Sequence, residues 1–308
     1  MSERIAVPAT GGAVSARLLV QMLVCSLLWA PAFLLMKRMG ADISPLGVTA
    51  LRDLIGGLIF GTGFAAIGQA VRPRGREWRD WAILGVLQVI IPNTLTVYAL
   101  LHITTGLAGL IQTATPLVVA VLAPLLFASE RMSVGRAVGL GLGFAGVVLL
   151  IGPSLAGEGP SSAAGVLAMA GVPVSFALGN LYVRAIPAAQ PLRLAYGQLL
   201  FSGLGAGLLT LLVDGVEPFA AARPHLGDLV LLALFATALP LALFMHILRK
   251  AGPTIGTAVG YLVPLWIIVI GAVALDERLG MVEILGGAVL LAGLGTLAAT
   301  YRPAGRQP

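Results

Sequence analysis

Charge is scarce in this sequence. Only 10% of its 308 residues are Asp, Glu, Lys or Arg, where a soluble domain carries about a quarter, and that shortage excludes a large soluble enzyme. Cysteine is nearly absent: Cys25 stands alone, so no intrachain disulfide can form and the redox compartment cannot be read from it. Histidine is rare as well. His102, His225 and His246 are far apart, without ligand-like spacing, so no metal site is expected. No hydrolase or kinase signature is present. An intramembrane enzyme would need convergent polar groups that are not visible here, so neither a catalytic residue nor a cofactor is expected. No polar stretch is long enough to form a soluble domain.

What the chain has instead is apolar sequence. Hydrophobic residues make up 58% of it, with a mean hydropathy of +0.98. They recur as runs that each match the roughly 20 residues needed to cross a bilayer as a helix. Bounding the runs by charge, Gly and Pro predicts ten spans, roughly 18–36, 44–68, 80–101, 104–127, 134–152, 163–185, 191–213, 226–248, 254–274 and 281–300. Only His102 and Ile103 separate the third from the fourth, which predicts a tight hairpin. A spanning barrel is excluded, because its strands would alternate polar and apolar residues. The fold expected is an all-α integral membrane protein with ten transmembrane helices. Ala30-Pro31-Ala32 mimics a signal-peptide cleavage site, but apolar sequence continues to Met36, which predicts an uncleaved first helix.

The net charge of +6 is a topology signal rather than a nucleic-acid footprint, because the basic residues sit at span ends and in short loops. One face would hold Arg4, Arg17, Arg72, Arg74, Arg76, Arg79, Arg131, Arg136, Arg184, Arg193, Arg249, Lys250, Arg302 and Arg306. The other would hold Lys37, Arg38, Arg223 and Arg278. Positive charge marks the cytoplasmic face, so both termini are expected in the cytoplasm and the chain in the cytoplasmic (inner) membrane.

The two halves echo one another. Pro116, Glu130, Gly139 and Gly146 recur as Pro264, Glu277, Gly286 and Gly293, at an offset of 147 or 148 residues. Five spans per half give the halves opposite orientations, an inverted repeat of the kind that builds secondary transporters around a midplane site. The repeats are expected at 1–157 and 158–308.

On these residues the sequence resembles the EamA-type branch of the drug/metabolite transporter superfamily. The marks are Leu28-Trp29-Ala30 with Phe33 and Lys37, Pro45 with Ala50-Leu51-Arg52, Tyr98-Ala99-Leu100, Gly106-Leu107-Ala108, Pro116 and Glu130-Arg131. The second half supplies Ala251-Gly252-Pro253, Tyr261-Leu262-Val263-Pro264, Glu277-Arg278 and Gly286. The resemblance implies ten helices in an inverted repeat and movement of small metabolites, often export of amino acids or drug-like compounds. Two departures stand out: Val174-Ser175-Phe176-Ala177 where the family commonly has a tryptophan, and Ala30-Pro31 where Gly-Ser is frequent. A substrate is therefore not carried over.

Polar residues inside the spans mark the expected substrate path. Gln88 and Thr96 share a face of the third helix, Gln112 and Thr115 of the fourth, Ser175 and Tyr182 of the sixth; Thr237 lies on the eighth and Tyr261 on the ninth. Lipid-facing polar groups are penalised, so these faces should turn inward, either lining a solvated cavity together with Trp29 or hydrogen-bonding between helices. Pro116 and Pro264 are expected hinges, with static kinks as the alternative. Arg52 and Asp53 are charges well inside a span, where charge is costly; Arg52 as a substrate anchor and Asp53 as a proton-coupling group stand against plain structural roles for both. Glu130 and Glu277 are expected to cap the helices that follow them. Gly135, Gly139 and Gly143, like Gly203 and Gly207, should let helices pack closely.

The function expected is alternating-access transport of small metabolites, as an exporter of amino acids or other uncharged or zwitterionic compounds, with protons as a candidate coupling ion. A sugar-nucleotide or phosphate-ester carrier is the alternative within transport, and a non-transporting scaffold the alternative outside it.

Overall fold

Side-chain caps start four of the helices. Ser44, Thr104, Ser133 and Ser162 each accept a hydrogen bond from the backbone N–H three residues on, satisfying a donor that a helix start leaves open. In the computed structural model the described residues are 16–69, 72–127, 133–158, 161–186 and 190–300, without the side chains of residues 245, 248–258, 261 and 300. The helices are α1 (Ala16–Gly40), α2 (Pro45–Ala66), α3 (Glu77–Leu100), α4 (Thr105–Leu126), α5 (Val134–Leu155), α6 (Ala163–Arg184), α7 (Pro191–Val213), α8 (Arg223–Phe244), α9 (Leu262–Leu275) and α10 (Met281–Thr300). Among the described residues, nine are long and apolar enough to span a bilayer, with α9 as a shorter apolar helix. Glu130 lies outside the described residues.

The backbone is helical throughout Leu239–Leu275, joining the end of α8 to α9. This stretch nevertheless doubles back. Cys25 Sγ donates to Pro240 O at 3.4 Å, while its neighbour Ser26 Oγ accepts from Trp266 Nε1 at 3.1 Å. A straight helix would put Pro240 and Trp266 about 39 Å apart, too far to reach adjacent residues of one helix. The reversal gives the second half the five spans that inversion requires.

The repeat expected from sequence is present as exchanged contacts. A methyl group on Gly139 would lie 3.0 Å from Gly293 O, and one on Gly146 2.7 Å from Gly286 O. Gly139 and Gly146 correspond to Gly286 and Gly293, so each contact is the other with its partners swapped. Gly57 and Gly203 behave alike: Gly57 meets the Leu200 backbone at 3.4 Å and Gly203 meets Leu54 N at 2.7 Å. Swapped pairs are the signature of a two-fold axis. Glycine is needed at Gly139, Gly146 and Gly203 because backbone passes where a side chain would sit, which lets α5 cross α10 and α2 cross α7 closely.

A second repeated feature was not read from the sequence. Gly85–Ile90 in α3 and Leu234–Ala238 in α8 are π-helical turns, each followed by a proline, Pro92 or Pro240. Ile91 N–H bonds to Val86 O and Leu239 N–H to Leu234 O, both in the i−5 register. These two bonds are 148 residues apart, the repeat offset. π-turns inside α-helices often mark functional sites.

Candidate functional site

Between the two repeats lies a cavity of about 500 Å³, walled by α1–α4 and α6–α9. On α1 the wall is Trp29, Ala32, Phe33 and Met36, the i, i+3, i+4, i+7 face of a helix. Of the residues expected on a substrate path, Trp29, Gln88, Thr96, Gln112, Thr115 and Thr237 line this cavity, as do Arg52, Pro116 and Pro264. The Tyr261 side chain lies outside the described residues.

Ser175 and Tyr182 lie elsewhere. Ser175 Oγ donates to Leu87 O at 2.6 Å. In the π register, Leu87 O is the acceptor that Pro92, lacking an N–H, cannot serve; the serine hydroxyl takes that place. Tyr182 donates to Asp80 Oδ1 at 2.6 Å, which Arg76 also approaches at 3.3 Å. Asp53 is off the cavity too, with 0% exposure. Its Oδ2 accepts from Ser202 at 2.5 Å across the α2–α7 crossing, and its Oδ1 has no partner among the described residues. Glu277 does not cap α10. It accepts from Lys37 Nζ at 2.5 Å and from Thr105 N and Oγ1 at 2.7 and 2.6 Å, capping α4; its carboxylate is drawn to the open N–H groups of that helix start. At α10 it is Glu283 that accepts from Gly280 N.

Arg52 is the only charged residue lining the cavity among the described residues. Its Nε donates to Thr237 Oγ1 at 2.9 Å and its Nη1 meets Met36 Sδ at 3.5 Å. Thr237 in turn donates to Leu232 O at 2.8 Å, so its single proton is committed and its oxygen is left to accept from the guanidinium. The π-turn in α8 thereby fixes the arginine.

Asn93, Phe176 and Gln198 line the cavity without having been singled out as path residues. Extending the repeat would have found two of them. Phe176 stands 147 residues after Trp29, and Gln198 stands 146 after Arg52, the same step as Pro45 to Pro191. Several further wall residues pair in this way, and four of those pairs differ in polarity in the same sense. At the 148 offset Asn93 faces the role of Leu241, Thr96 of Phe244, Gln112 of Gly260 and Thr115 of Val263. In each the polar member belongs to the first repeat; Val89 and Thr237 reverse the pattern. The Trp29 and Phe244 rings meet at a tilt of 59°, with 5.3 Å between ring centres.

The sequence model of the EamA-like transporter family matches residues 17–152 and 163–298. The chain is 28% identical over 271 residues to YvbV, an uncharacterized transporter of Bacillus subtilis, covering 86% of each protein. It is 27% identical over 276 residues to a chloroplastic WAT1-related protein of Arabidopsis thaliana, covering 86% of this chain and 66% of that one. YedA, an uncharacterized inner membrane transporter of Escherichia coli, is 24% identical over 269 residues, covering 86% and 85%. One solved structure, described simply as a protein crystal structure, superposes with a TM-score of 0.60 at 22% identity over 92% of this chain and 96% of that one. That likeness speaks to the fold alone.

Proposed function

The chain belongs to the EamA-like transporter family, and from that premise we propose that it is a secondary carrier exporting small zwitterionic or uncharged metabolites, amino acids among them, by alternating access. One observation carries the reading: the cavity lies between two repeats whose contacts exchange across a two-fold axis. Rocking one repeat against the other then opens the same cavity to each side in turn, with Pro116 and Pro264 as the hinges that absorb the bend. Gln112, Thr115, Thr96, Gln88 and Thr237 orient the polar end of the substrate and Trp29 supplies a ring face; Tyr261, the residue before α9, completes the set. A phosphate-ester carrier is disfavoured, since doubly charged phosphate wants several fixed cations and the cavity offers only Arg52 among the described residues.

The repeats divide at 157/158, at the Gly157 turn between α5 and α6, where φ is +78°. The arginine-rich face, which includes the α2–α3 loop, is cytoplasmic, as are both termini, and the protein resides in the cytoplasmic membrane. Protons are the coupling ion in this reading.

Reconstituted vesicles loaded with one unlabelled amino acid at a time test the function. Saturable counterflow of the labelled compound is expected for at least one amino acid. Vesicles with folded protein and no saturable flux of any of them would overturn the amino-acid reading.

A further inference from the structure

We propose that the cavity selects compounds with one carboxylate on an apolar body, amino acids among them, binding the carboxylate at Arg52 and the body against Trp29 and Phe244; this rests on the carrier reading above and extends its substrates to simple monocarboxylates. The guanidinium is already oriented. Nε is taken by Thr237 and Nη1 by Met36, while Nη2 has no partner among the described residues. Arginine stays charged and its flat fork matches a carboxylate, yet no carboxylate lines this cavity among the described residues. Asp53 is the countercharge beside Arg52 in sequence, but it is buried with 0% exposure and turned to Ser202, off the cavity; on the cavity side the anion is the ligand's.

The repeat explains why one such end exists and not two. The two-fold mate of Arg52 is Gln198, which lines the cavity without charge. Asn93 and Gln112 face mates that are Leu241 and Gly260. The cavity is therefore polarised, and suits a molecule with one anionic end. A single cation also favours a single negative charge. An amine on the ligand meets only side-chain carbonyls and ring faces here, so it is tolerated but not required.

The test uses the purified intact protein and four probes: 3-phenylpropionate, its amide, phenethylamine and phenyl phosphate. Equilibrium binding should rank the acid first, with the amide weaker by roughly tenfold to a hundredfold, the range for loss of a charged hydrogen bond. Arg52→Gln should bring the acid down to the level of the amide and leave the amide unchanged, whereas Arg52→Lys should keep a preference for the acid. Equal binding of acid and amide to the wild type, which needs no variant to fold, overturns the proposal. So does an undiminished preference in Arg52→Gln, tighter binding of phenyl phosphate, or no saturable binding of the acid. The carrier reading fails separately. Acid binding without counterflow in vesicles removes transport and leaves the site; saturable flux of neutral compounds with no preference for the acid does the reverse.

Discussion

Lys37 Nζ sits 2.5 Å from Glu277 Oε1, tying the first helix of one repeat to the end of α9 in the other across 240 residues of sequence. Lys37 also donates to Ile103 O at 3.2 Å. The knot lies one residue beyond Met36, a cavity residue of α1, and so at the Lys37 end of the cavity. On the alternating-access reading proposed above, opening the cavity to that face is expected to break these bonds.

The two sides of the knot are unequal, which makes a testable difference. Glu277 serves three donors and Lys37 two acceptors. Glu277→Gln also strips a charge from the α4 start, where N–H groups favour an anion. Glu277→Gln should therefore destabilise more than Lys37→Met, by about 1–3 kcal/mol for the former. Thermal unfolding in detergent checks the order; equal loss would show that the α4 cap contributes nothing.

The glycine crossings predict a contrast within one helix. Gly146→Ala puts a methyl group 2.7 Å from Gly286 O, whereas one on Gly141 meets nothing within 4 Å. Gly146→Ala should lose about 1–3 kcal/mol through forced separation of α5 and α10. Gly141→Ala should be neutral or gain up to about 1 kcal/mol from helix propensity. Unfolding midpoints of the two variants measured side by side decide it.

Asp53 gives the third prediction. It is the buried carboxylate whose Oδ1 lacks a partner among the described residues, next to the cavity arginine in sequence. With transport driven by protons through this group, Asp53→Asn should abolish accumulation against a gradient and leave substrate exchange largely intact. Unchanged accumulation at normal expression would leave Asp53 with its hydrogen bond to Ser202 as a structural tie.

Helix number and inversion were legible because each is written locally: apolar runs of bilayer length, and Pro, Glu and Gly recurring at one offset. The fates of individual polar residues were not local. Ser175 faces Leu87 O because a π-turn and Pro92 together orphan that carbonyl, and a 100° helical wheel cannot show a π register. Glu277 lies just ahead of α10 in sequence, yet in space it meets the start of α4. Gln198 was hidden for another reason: α2 and α7 align at 146 residues, not the 147 or 148 of the conspicuous landmarks. The α8–α9 reversal was expected from the charge pattern and emerges in space from Cys25 and Ser26.

One cavity between the repeats, reached from each side in turn, fixes how a cysteine at Gln112 should behave. The native Cys25 is 0% exposed and provides a silent background. In oriented vesicles, Gln112→Cys should react with a membrane-impermeant thiol reagent applied to either face, and a bound substrate should slow both reactions. Reaction from neither face, in any condition, would contradict the cavity; reaction from the same single face in every condition would contradict alternation.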